Sequence, residues 1–180
     1  MKIRSVIAAT AIAGAGLVAV AAPAMAMGSG NPYEDMQVGV TYTVYEPTFT
    51  AGLKARHVGG NDLCPPGTEQ NLYASYGKGN GRQFQIWEGN PMCSDIGVGA
   101  EVMTATVQGA KATVYAYCDP ETVTNCKKSD VQKYGGHLSV TLPAGANLRP
   151  TQVWIETYGG GNVSAQQLVR IARGLQPVGG

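Results

Sequence analysis

The chain has 180 residues, with 13 basic and 12 acidic side chains. This near balance argues against a nucleic-acid partner, because a phosphate backbone demands a basic face. The length suits a single folded domain behind an export segment.

Residues 1–26 read as a cleavable secretory signal peptide. Lys2 and Arg4 give a positive start, residues 6–20 are uncharged and largely apolar, and Pro23 breaks that run. Ala24, Met25 and Ala26 supply the small residues a signal peptidase needs, so cleavage is expected before Met27. The apolar run is short and rich in Ala and Gly, whereas a spanning helix takes about 20 apolar residues. No later segment is long enough to span, so no membrane span is expected after cleavage. No cysteine follows the apolar run and no twin arginine precedes it, which points to the general secretory route without lipid attachment. The remaining 154 residues carry 11 basic and 12 acidic side chains, a net charge of −1. A domain of that size can bury a real core.

All four cysteines, Cys64, Cys93, Cys118 and Cys126, lie in the exported part. An even count in an exported chain reads as two disulfides, and three pairings are formally possible. Cys64–Cys93 with Cys118–Cys126 is favoured, because each bridge then joins neighbouring segments of a meander. Zinc is disfavoured by the lack of any C-x-x-C or H-x-x-x-H spacing.

Residues 27–36 are expected to be a flexible lead-in and 37–178 the single secreted domain. Val38, Val40, Tyr42 and Val44 alternate with Gly39, Thr41, Thr43 and Tyr45, a period of two that predicts a strand ended by Pro47. Residues 53–58 make a short second strand, and 61–69, with Cys64 and two prolines, a loop. Residues 72–76 and 83–87 flank Gly77-Lys78-Gly79-Asn80-Gly81, where Asn-Gly is a hairpin cue. That run is no phosphate loop, since G-K-[ST] is missing and no helix pattern follows. Strands are expected over 101–107 and 112–118, joined by the turn Gln108-Gly109, and again over 137–142 and 151–158. Residues 119–136 read as a polar loop.

The last element has a different period. Ser164 and Gln167 form a capping box, and Val163 with Leu168 a hydrophobic staple. Leu168, Ile171, Ala172 and Leu175 fall on one helical face. Gly174 and Pro177 stop the helix. The fold class expected is α+β: a largely antiparallel sheet of about seven strands with one C-terminal amphipathic helix packed on it.

Chemistry is harder to place. His57 and His137 are the only histidines, and neither has a partner at a suggestive spacing. There is no G-x-S-x-G, and oxidised cysteines leave no thiol nucleophile. Glu46, Glu88, Asp95, Glu101 and Glu156 are scattered, and nothing nominates a glycosidase pair among them. The chain is therefore expected to be no enzyme and to need no cofactor or metal. Nine Tyr and two Trp outnumber two Phe. Trp87 and Trp154 stand on the opposite parity to Ile86, Val153 and Ile155, which places them on the sheet face away from the core. With Tyr115 and Tyr117 they are candidate binding residues. The leading expectation is a monomeric, non-enzymatic secreted or cell-envelope domain binding an unknown protein or envelope ligand. The alternatives are a proteinase inhibitor acting through the tethered loop 118–126 and a secreted hydrolase.

The two ends of the exported part also carry a resemblance. Val44-Tyr45-Glu46-Pro47-Thr48-Phe49 with Gly52-Leu53-Lys54, and Trp154-Ile155-Glu156-Thr157-Tyr158 followed by residues 163–175, together resemble a family of uncharacterised extracytoplasmic bacterial domains. Members occur alone or attached to anti-sigma factors and lipoprotein-carrier-like proteins. The resemblance implies an antiparallel sheet with a packed helix, no known activity and no catalytic residues to transfer. The four cysteines and residues 119–136 depart from the pattern.

Overall fold

The computed structural model describes residues 29–61, 63–78, 81–93, 95–119, 121–123, 125–160 and 163–179. The expected signal peptide and Asn80 of the hairpin cue lie outside them. Seven strands form one sheet: β2 (Ala55–Gly60), β3 (Leu72–Gly77), β4 (Gln83–Gly89), β5 (Ala100–Val107), β6 (Ala110–Ala116), β7 (Gly135–Leu142) and β8 (Thr151–Tyr158). Their order is β2-β3-β4-β8-β7-β6-β5, with every pair antiparallel. The protein is thus α+β, as the periodicity implies.

The alternation explains which way the sheet faces. Ala74, Ile86, Ile155, Leu138 and Val114 lie opposite one another in a single cross-strand row, and all are fully buried. A period-two pattern puts such residues on one side of a pleated sheet. Helix α3 (Ala165–Arg173) covers that side. Both bonds of its capping box form: Ser164 Oγ accepts from Gln167 N–H at 3.3 Å, and Gln167 Oε1 from Ser164 N–H at 3.0 Å. Leu168, Ile171 and Ala172 are fully buried, in the same core as the strand aliphatics.

Two terminal regions depart from the expected elements. The strand read from Val38 begins instead as helix α1 (Pro32–Gly39), and Val38 is 83% exposed. Asn31 accepts from Tyr33 N–H and Pro32 opens the first turn, two start signals that outweigh the alternation. Residues 32–36 are therefore helical rather than a flexible lead-in, and Tyr33 is buried with its hydroxyl against that of Tyr76. The chain then runs extended through the core, held at isolated points. Val44 N–H donates to Gln37 Oε1 at 2.8 Å, Thr43 N–H to the Arg149 carbonyl at 3.1 Å, and Tyr45 N–H to Glu88 Oε2 at 2.9 Å.

At the other end, Leu175 is buried but not helical. It opens β9 (Leu175–Pro177), which pairs with β1 (Tyr45–Pro47) as a small second sheet. Period alone could not separate these, because a residue just past Gly174 still projects toward the same core. A short helix α2 (Asp130–Tyr134) interrupts the polar segment after β6. The turn at Gln108-Gly109 forms as expected, with both residues at positive φ.

Both favoured disulfides are present. Cys64–Cys93 has a Cα separation of 5.0 Å and Cys118–Cys126 one of 6.1 Å. Among the described residues no helix is long and apolar enough to cross a membrane.

Candidate functional site: the open sheet face and its strap

One face of the sheet carries the helix, with Tyr76 and Phe84 stacked in its core; the other carries both tryptophans. Tyr73, Trp87, Trp154 and Ser139 form one cross-strand row. Gln85, Glu156, His137 and Tyr115 form the next. Trp87 and Trp154 are directly paired and half-buried, on the face opposite Ile86, Val153 and Ile155. Tyr73 packs on Trp87 with ring centroids 4.5 Å apart, and the exposed His57 lies 5.7 Å from Tyr73.

Topology supplies a wall. β4 lies beside β8 in mid-sheet, whereas β5 lies at the far edge. The connection from Gly89 to Ala100 must therefore cross β8, β7 and β6, and it does so over the open face. Its first half is pinned: Asn71 Nδ2 donates to the Pro91 carbonyl at 3.0 Å, Cys93 N–H to Asn71 Oδ1 at 2.6 Å, and Met92 N–H to Gln152 Oε1 at 3.2 Å. The Cys64 disulfide holds the same stretch. Its second half lies against aromatic rings. A Cβ on Gly99 would sit 2.9 Å from Tyr115 Cβ, and one on Gly97 3.5 Å from Tyr117 Cε1. Between strap and sheet is a cleft of about 350 Å³, lined by Asp95, Ile96, Val98, Tyr115, His137, Ser139 and Trp154 together with the strap glycines.

His137 does have partners, but they come from other strands. It is 7% exposed, stacks on Tyr115 at 4.7 Å, and its Nδ1 lies 3.1 Å from the Tyr117 hydroxyl. That hydroxyl donates to Glu156 Oε1 at 2.8 Å. Glu156 Oε2 lies 3.2 Å from the Tyr158 hydroxyl, which is also 3.1 Å from Gln85 Oε1. Because the one Tyr117 proton goes to the carboxylate, Nδ1–H must donate to the Tyr117 oxygen. This assigns the tautomer and leaves a lone pair on Nε2. Among the described residues Nε2 has no hydrogen-bond partner. Burial lowers the His137 pKa to about 4, so the ring is neutral at neutral pH. Burial, then the Glu156 carboxylate, raise the Tyr158 hydroxyl to about 12 and push Tyr117 higher still.

The remaining sequence candidates are dispersed. Glu88 is fully buried on the core face, far above its ordinary carboxyl range through desolvation, with Oε1 unpartnered among the described residues. Glu46 accepts from Asn31 Nδ2, and Glu101 is exposed on the edge strand β5. In the loop tethered by Cys118–Cys126, Glu121 N–H donates to Asp119 Oδ1, while Thr122 and Val123 N–H donate to the Asp119 carbonyl. Its described residues 121–123 thus fold tightly back onto Asp119. Cys118, Cys126 and Asp130 come within 4.8 Å of one another, but both sulfurs are spent on the disulfide. Parity in the sequence could find the two tryptophans; nothing local could find the His137–Tyr117–Glu156 relay. Neither a known protein family, nor a curated protein, nor a solved structure matches the chain.

Proposed function

We propose that the protein is an extracytoplasmic, non-enzymatic binding domain whose ligand seats on the open aromatic face, with Trp87, Trp154, Tyr115 and Tyr117 at or beside the contact. The observation that carries this reading is the pairing of half-buried Trp87 and Trp154 on the side of the sheet that α3 leaves uncovered. Large aromatics left partly open to water are costly unless something covers them, and they dominate affinity where something does. Two disulfides suit an oxidising compartment, which supports export by the N-terminal segment. The family resemblance, to extracytoplasmic domains without known activity, agrees with this.

The inhibitor reading is less favoured. Glu121, Thr122 and Val123 turn back onto Asp119, and a turn of that kind offers a proteinase no extended strand to grip. The test is cosedimentation of the purified domain with isolated cell envelopes of the producing organism. The wild type should pellet, and Trp87→Ala/Trp154→Ala, with an unchanged melting profile, should stay in the supernatant. Equal pelleting of both proteins would refute the face.

A further inference from the structure

The ligand class can be read from what the cleft offers and what it withholds. No lysine or arginine lines the cleft, so nothing in it would hold an anion. The one carboxylate of the strands beneath it, β8, β7 and β6, is Glu156, and both its oxygens are engaged by tyrosine hydroxyls. In the cleft's own lining a cationic ligand would find only Asp95, exposed on the strap, with Glu101 exposed beyond it on the edge strand β5. What remains is aromatic surface, Ser139, and a buried neutral imidazole with an Nε2 lone pair that has no partner among the described residues.

We infer that the cleft between strap and sheet takes a neutral saccharide ring, its C–H face on Trp154 and one of its hydroxyls donating to His137 Nε2. The inference rests on the binding-face reading above and adds the ligand's chemistry to it. Ring C–H groups of a sugar are weakly positive and meet the negative face of an aromatic ring. Its hydroxyls supply a donor to Nε2, which is not a buried unpartnered atom in the free protein; an acceptor left unmatched would cost free energy in any complex that excluded water from it. A proline-rich peptide also favours aromatic grooves, but prolyl residues have no N–H to offer His137. The open row from Trp154 to Trp87 and Tyr73 gives further rings to an oligosaccharide leaving the cleft across the sheet.

The test is titration of the whole exported domain with cellohexaose, chitohexaose, maltohexaose and mannohexaose, with decaproline as the competing class, read by calorimetry. At least one hexasaccharide should bind saturably. Trp154→Ala and His137→Phe should each weaken it about tenfold or more, the latter keeping the stack on Tyr115 while removing the acceptor. In the wild type, free of any folding effect of substitution, the Trp154 indole N–H resonance should shift with saccharide. The inference is overturned if no hexasaccharide binds at millimolar concentration, if His137→Phe binds as the wild type does, or if decaproline binds in their place. Should envelope binding still depend on Trp87 and Trp154 while no hexasaccharide binds or competes, the saccharide fails and the binding face stands.

Discussion

Glu88→Gln tests how the core tolerates a carboxyl group. Glu88 is fully buried on the helix-facing side of β4; Oε2 accepts from Tyr45 N–H, and Oε1 has no partner among the described residues. Desolvation holds its pKa well above the ordinary 4.5, so the folded protein keeps a proton that the unfolded chain releases. Fewer protons bound in the unfolded state means that stability falls as pH rises above 4.5, by up to about 1.4 kcal/mol per pH unit, until the folded-state pKa is passed. His137 works in the opposite sense. Its folded pKa is lowered to about 4, so stability rises with pH between that value and the ordinary 6.5. The two slopes therefore oppose each other in the wild type above pH 4.5, the His137 contribution ending near pH 6.5. Glutamine keeps the acceptor for Tyr45 N–H and cannot ionise. Urea unfolding followed by tryptophan fluorescence at pH 4.5, 5.5 and 6.5 should show Glu88→Gln gaining on the wild type as the pH rises, by at most about 1.4 kcal/mol per pH unit. Any fixed cost of the buried amide shifts the variant by a constant and leaves the slope intact. Parallel pH profiles for the two proteins would refute a protonated Glu88.

The other expectations concern packing and crosslinks. Leu168→Ala and Ile171→Ala should each cost roughly 2–4 kcal/mol in urea unfolding, since both are fully buried; Arg170→Ala, which loses only an exposed contact 4.1 Å above the Phe49 ring, should cost less than about 1 kcal/mol. Gly136→Ala should destabilise by about 3 kcal/mol or more, or prevent folding, because the added Cβ would stand 2.1 Å from the Tyr115 carbonyl oxygen; a normal melting temperature would show that β6 and β7 can part there. Non-reducing peptide mapping should find Cys64 joined to Cys93 and no free thiol. Cys64→Ser/Cys93→Ser should lose more stability than Cys118→Ser/Cys126→Ser, about 3.6 against about 2.6 kcal/mol on loop entropy; the reverse order would mean that the strap is held without its bridge.

Local chemistry in the chain already determines much of this protein. Strict alternation in 137–142 and 151–158 fixes strands and the face each aliphatic takes, because a side-chain period of two matches only an extended backbone. Ser164 and Gln167 fix the start of α3, because both bonds of a capping box lie within one turn. The parity of Trp87 and Trp154 against Ile86, Val153 and Ile155 separates the tryptophan face from the aliphatic core face for the same reason. Tertiary structure alone decided the rest. Residues 38–44 alternate like a strand, yet Asn31 and Pro32 start a helix that runs to Gly39, and the extended segment after it is held by Gln37, Arg149 and Glu88. The strap crosses the open face only because β4 pairs with β8 while β5 lies at the far edge, an order no local pattern encodes. His137 lacks partners in its own neighbourhood and acquires Tyr117, just past β6, and through it Glu156 of β8, since hydrogen bonds across a sheet join residues that are close in register rather than in sequence.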